Sequence, residues 1–95
     1  MRNIVIALLT LSVIASRAQT VQQADSLHQR GRELMIGGKI IEGRACTRQA
    51  MEIRKKLLGE LSGDYITSLK NYAFSFGVEK NYSKAVELQE QVKAL

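Results

Sequence analysis

The chain has 95 residues, 45% of them hydrophobic and 24% charged, with no proline or tryptophan and a formal net charge of +5. That length holds one small domain, and the single cysteine, Cys46, excludes a fold stapled by internal disulfides. The basic residues are scattered among acidic neighbours, which argues against nucleic acid as a partner, since such binders gather Lys and Arg on one face.

The first segment reads as a leader. Met1-Arg2-Asn3 is a short basic opening, residues 4–15 are apolar except for Thr10 and Ser12, and Ser16 and Ala18 offer small side chains where a signal peptidase reads. The apolar run is about 12 residues, short of the roughly 20 that a bilayer needs. Residues 1–18 are therefore expected to be a signal peptide removed before Gln19, leaving no membrane span; retention as an anchor is the alternative. The mature part, 19–95, is expected to be exported, to a periplasm or to the extracellular space. Without Arg2 and Arg17 it carries 12 basic and 9 acidic residues, a net of +3.

Four helices follow, each marked by apolar residues at spacings of three and four. The first is predicted over 21–37, with Ala24, Leu27, Gly31, Leu34 and Met35 on one side and Gly37-Gly38 as its stop. The second is predicted over 40–58, with a stripe of Ala45 or Cys46, Gln49-Ala50, Ile53 and Leu57, and with Gly59 as its stop. Cys46 reads as a small buried residue of that helix. Arg54-Lys55-Lys56, near its end, reads as a solvated face that complements the helix dipole. Residues 60–63 form the loop before a third helix, for which Asp64 is the N-cap candidate. Ile66, Leu69, Tyr72, Ala73 and Phe76 mark its buried side, and Gly77 lies near its end. The fourth begins at Tyr82 or Ser83 and carries Ala85-Val86, Gln89, Val92 and Leu95. No segment after the leader alternates apolar and polar residues over a useful length, so strands are not expected. Links of a few residues within each pair force antiparallel hairpins.

The two hairpins repeat one another. Leu27 and Leu69, Gly31 and Ala73, Leu34 and Phe76, Ile40 and Tyr82, Gly43 and Ala85, and Ile53 and Leu95 are each 42 positions apart. A repeat of that length signals stacked helical units, which serve as binding surfaces. The small residues at 31, 73, 43 and 85 belong where two backbones cross closely. Tyr72 and Tyr82 are expected in the core.

These positions resemble the tetratricopeptide repeat, in the long form similar to that of kinesin light chains. Leu69, Tyr72, Ala73 and Phe76, then Tyr82, Ala85 and Val92, carry the signature in the second unit. Leu27, Gly31, Leu34, Gly38-Lys39, Gly43 and Ala50 carry it in the first. The sequence departs from the long form at Leu61-Ser62-Gly63-Asp64, where that form continues with His-Pro-Asp. The resemblance implies an all-α fold: antiparallel helical hairpins stacked as a short α-solenoid of two TPR-like units, about 21–62 and 63–95, the second incomplete. It also implies a protein or peptide partner held mainly against the first helix of each unit. Lys70, Asn71 and Phe74 on the third helix are then the candidate contacts, with Tyr65 on the rim. Arg30 stands where the second unit has Tyr72, so the first unit is expected to serve as a polar cap. Repeats bury their faces on neighbours, and about three are needed for stability. The chain is therefore expected to be the front of a longer array, or else to self-associate through the C-terminal helix face.

No chemistry stands out. His28 has no Cys or second His at ligand spacing. Cys46 is on a different predicted helix, and the glycines lack the spacing of a phosphate loop. No catalytic residue, cofactor or metal site is expected. The functional expectation is an exported interaction module. The alternative is the extracytoplasmic sensory front end of a larger membrane signalling protein.

Overall fold

A computed structural model describes residues 19–95; the leader predicted at 1–18 lies outside them. Helix α1 spans Val21–Ile36, α2 Ile40–Leu58, α3 Gly63–Val78 and α4 Tyr82–Ala94. The described residues contain no strand. Helix α1 packs on α2, α2 on α3 and α3 on α4, while α4 meets α3 alone. The fold is thus all-α, a stack of two hairpins in sequence order rather than a bundle closed on itself.

Local chemistry sets the helix ends. Thr20 caps α1: its Oγ1 accepts from the Gln23 N–H at 3.1 Å, and the Gln23 Oε1 accepts from the Thr20 N–H at 3.0 Å. Each bond satisfies a donor that the helix leaves free. Ser62, not Asp64, caps α3, its Oγ accepting from the Tyr65 N–H at 3.1 Å. A cap stands outside the helix, two or three residues before the amide it satisfies. Asp64 is already inside the first turn, where its charge complements the helix dipole. Asn81 does the same capping work for α4, accepting from the Lys84 N–H at 3.3 Å.

The repeat is exact in the backbone. Val21 and Gly63, Ile36 and Val78, and Ile40 and Tyr82 begin or end equivalent helices, each pair 42 residues apart. The turns match as well. Lys39 N–H donates to Leu34 O and Asn81 N–H to Phe76 O, both at 2.8 Å. The residue before each donor is left-handed, Gly38 at φ 86° and Lys80 at φ 64°.

Packing differs between the hairpins. In the first, α1 and α2 cross through Gly31 and Gly43. A methyl group on Gly31 would lie 2.5 Å from Thr47 Oγ1 and 2.9 Å from Gly43 O, and one on Gly43 would lie 2.8 Å from Gly31 O. The glycines are therefore required by backbone contact, not merely tolerated. In the second hairpin, Tyr65, Leu69, Ala73 and Leu88 form the core cluster. Ile66, Tyr72, Phe76 and Val92 pack around it, as does Met51 from α2. Tyr72 and Phe76 meet edge to face at 5.1 Å.

Several expected core positions are corrected. Tyr82 is 63% exposed; as the first residue of α4 it precedes the point where that helix meets α3. Ala45, Gln49, Leu57, Val86 and Gln89 are also exposed, and Cys46 is half-buried. The buried line of α2 runs through Gly43, Thr47, Ala50 and Arg54, at spacings of 4, 3 and 4. On α4 the buried residues are Ala85 and Leu88.

Candidate interaction groove

The hairpins are joined by a polar seam built on two arginines of α2. Arg54, read from its triplet as solvated, is buried. It donates to Ser68 Oγ at 2.8 Å, to Asp64 O at 3.1 Å and to Asp25 Oδ1 at 3.0 Å, and so ties α1, α2 and α3 together. Its Nε is buried without a hydrogen-bond partner. Arg44 donates to Ser75 Oγ at 2.8 Å and Ser75 O at 3.0 Å, pairs with Glu79, and lies 3.8 Å from the centre of the Phe76 ring. A guanidinium carries enough fixed donors to serve several acceptors at once. Ser68 and Ser75 are wholly buried because a small hydroxyl lets α3 approach while still receiving those donors.

His28 completes the seam. Its Nδ1 lies 3.4 Å from Ser68 Oγ and its Nε2 lies 3.3 Å from Asn71 Nδ2. Burial, followed by the positive charges of Arg54 and Arg32, holds its pKa below the usual histidine value, against the opposing pull of Asp25 and Asp64. Both ring nitrogens face α3, so Cys46 on α2 is not its hydrogen-bonding partner. Among the described residues no three His, Cys, Asp or Glu side chains gather as a metal site.

Below the seam, at the C-terminal ends of α1 and α3, lies a groove of about 470 Å³. Arg32, Met35 and Ile36 line it from α1, Ile40 from the start of α2, and Asn71, Phe74 and Val78 from α3. Ile36 is 82% exposed and Phe74 63%. Large side chains left in water beside one another mark a surface that gains by being covered.

Of the candidate contacts, Asn71 and Phe74 line this groove. Lys70 is exposed on α3 but does not line it. Tyr65 is not on a rim: it is 7% exposed and belongs to the core cluster, four residues before Leu69 and so on the same side of α3. Sequence reasoning missed Arg32, Met35, Ile36, Ile40 and Val78 as groove residues. The repeat held a signal for one of them, since Arg32 is the equivalent of Phe74.

A larger concavity, about 930 Å³, lies between α1 and α2 and includes no residue of the second hairpin. Gln19, Gln22, Gln23, Ser26, Gln49, Glu52 and Lys56 supply most of its lining, with Leu27 and Ile53 at its base. Ser26 is the repeat equivalent of the buried Ser68. In the first hairpin this face is polar and solvated, the character expected of a cap. Its apolar contribution comes from Leu27 and Ile53, which the helices already cover, whereas the smaller groove exposes Ile36 and Phe74 and is the stronger candidate.

No family model, curated protein or solved structure matches the chain.

Proposed function

We propose that this chain is a protein–protein interaction module whose groove between α1 and α3 holds an apolar segment of a partner protein. The observation that supports it is the exposure of Ile36 and Phe74 on opposite walls of one groove, with Asn71 and Arg32 beside them to fix a backbone or a carboxylate. Burying two such side chains is worth about 1.5–3 kcal/mol each, which suits a modest, reversible interaction. In this reading the hairpins are two units of a tetratricopeptide-type array, supported by the shared 42-residue register and the matched turns. The work is binding without catalysis. The leader composition of residues 1–18 supports export, to a periplasm or the extracellular space. Among the described residues no helix is long and apolar enough to cross a membrane.

The test is selection of displayed random peptides on the 95-residue chain, followed by calorimetry with the enriched sequences. Apolar peptides should be enriched, and Phe74→Ser or Ile36→Ser should weaken them about tenfold or more. Peptides that bind both variants as well as the parent would place recognition elsewhere.

A second reading is favoured by α4, where Tyr82, Val86 and Leu95 are exposed. In it, that face docks on a second copy or on further units. Sedimentation over a concentration series separates the two: a Val86→Lys change should abolish any dimer while leaving peptide binding intact.

A further inference from the structure

Each hairpin turn is flanked by large apolar side chains left in water. Ile36 precedes the first turn and Ile41 follows it; Val78 precedes the second and Tyr82 follows it, and all four are exposed. The two turns share one end of the molecule. Ile36, Ile40 and Val78 line one groove, and Arg44 of α2 pairs with Glu79 beside the second turn. Ile41 is 71% exposed and, like Tyr82, lines neither concavity. A compact ligand needs concave walls to bury it. Apolar side chains that project outside such walls suit the interfacial layer of a bilayer, which closes around them.

A lysine stands in each turn. Lys39 and Lys80 are exposed, and neither forms an ion pair among the described residues. Lys80 holds φ 64°, whereas its equivalent in the first turn is Gly38. A left-handed backbone is unfavourable for any residue with a side chain, and strain of this kind gathers at functional positions. A lysine there supplies a cation at the expense of stability. Arg32, in the groove wall, is a third cation without an ion pair among the described residues. Glu42, in the first turn of α2, opposes them, while Glu79 and Glu87 are neutralised by Arg44 and Lys84. This end is therefore cationic. The opposite end also exposes Leu57, Leu58 and Leu61, but there Lys55 pairs with Glu60, and the charges of Lys56 and Asp64 cancel in count.

We infer that the end carrying the two turns seats on an anionic lipid surface, with Ile41 and Tyr82 in the interface and Lys39 and Lys80 on the lipid phosphates. A tyrosine, apolar in its ring and polar at its tip, suits the headgroup level. Each lysine held near an anionic surface adds attraction. Ile41, Tyr82, Lys39 and Lys80 lie outside the lining of the groove assigned to a partner segment, so the two surfaces can be tested apart.

The test uses the 95-residue chain with vesicles of phosphatidylcholine alone, or mixed with phosphatidylglycerol at about two to one. Residues 4–15 are themselves apolar, so position is read as well as affinity. In a Cys46→Ala background, an environment-sensitive fluorophore is placed on Ser83→Cys, next to Tyr82, or on Glu60→Cys, at the opposite end; both sites are exposed. The expected result is binding about tenfold or more tighter to the mixed vesicles than to the neutral ones. The label at 83 should move to the blue, and the label at 60 should not. Ile41→Ser combined with Tyr82→Ser should weaken vesicle binding about tenfold and leave peptides selected on the groove bound as before. Lys80→Gly should raise the melting temperature yet weaken binding to the mixed vesicles about threefold or more. A blue shift at 60 alone, which would make the leader the anchor, overturns the proposal. So do equal binding to the two kinds of vesicle and folded variants that bind as the parent does. Failure of the peptide selection with vesicle binding intact would remove the groove reading and leave this one standing.

Discussion

The two hairpins share the bounds of their first helices, the start of their second and the turn between them, yet they bring their helices together by opposite means. The first relies on absence: Gly31 and Gly43 remove side chains so that backbones touch. The second relies on presence: Tyr65, Leu69 and Leu88 fill the space around Ala73. The contrast teaches that a repeat conserves where helices start and cross, while the contacts at the crossing are free to change. It also places most of the apolar stabilisation in the second unit.

The largest effect should come from emptying that core. Leu88→Ala removes a buried side chain, and thermal or urea unfolding should show a loss of about 3 kcal/mol. Next is Arg54→Ala, which strips three hydrogen bonds from the seam and leaves Ser68 buried without its donor. About 2 kcal/mol should be lost. A larger loss there than at Leu88 would mean that the joint, not the second core, dominates stability. Gly31→Ala sharpens the comparison at the crossing. Alanine is the better helix former by about 1 kcal/mol, yet the methyl group meets Gly43 O and Thr47, so a net destabilisation of about 1–2 kcal/mol is expected. Ala73, at the equivalent position, already accommodates that methyl group; Ala73→Leu should overfill the second crossing by about 1–3 kcal/mol. The smallest effects are gains. Thr47→Val keeps the shape of a wholly buried side chain whose hydroxyl has no partner, and should stabilise by about 1 kcal/mol. Lys80→Gly should add about 1 kcal/mol by relieving a left-handed residue that Gly38 shows the turn accepts as glycine.

Much of the fold was legible because it rests on spacing and punctuation. The 3,4 pattern located all four helices, Gly37-Gly38 and Gly59 marked their stops, and the 42-residue offset foretold the matched turns. What escaped was the seam. Arg54 was misjudged because composition places Arg-Lys-Lys on the surface. Its spacing from Gly43, Thr47 and Ala50 put it on the buried line, and the decisive partners, Asp25 and Ser68, lie 29 and 14 residues away. Serines 68 and 75 look like surface residues until the arginines that use them are in place. The groove was half legible: Asn71 and Phe74 stood off the apolar stripe of α3, whereas Ile36, beside the Gly37-Gly38 stop, carried no mark of its own. Tyr65 stands four residues before Leu69 and eight before Ala73, a spacing that puts it on the buried stripe although it precedes the apolar run that marks the helix.

The seam has a consequence for how the molecule yields to force and solvent. Its cross-links are mostly hydrogen bonds and ion pairs, with Met51 on the second core and Arg44 over the Phe76 ring adding apolar contact. Denaturants act in proportion to the surface exposed, and the heat-capacity increment likewise follows newly wetted apolar area. Separation of the hairpins should therefore add to both in proportion to the apolar contact that Met51 and Phe76 give up. Ionic strength, which acts on the Arg54–Asp25 and Arg44–Glu79 pairs directly, is the variable that should bear most on the joint between the two units.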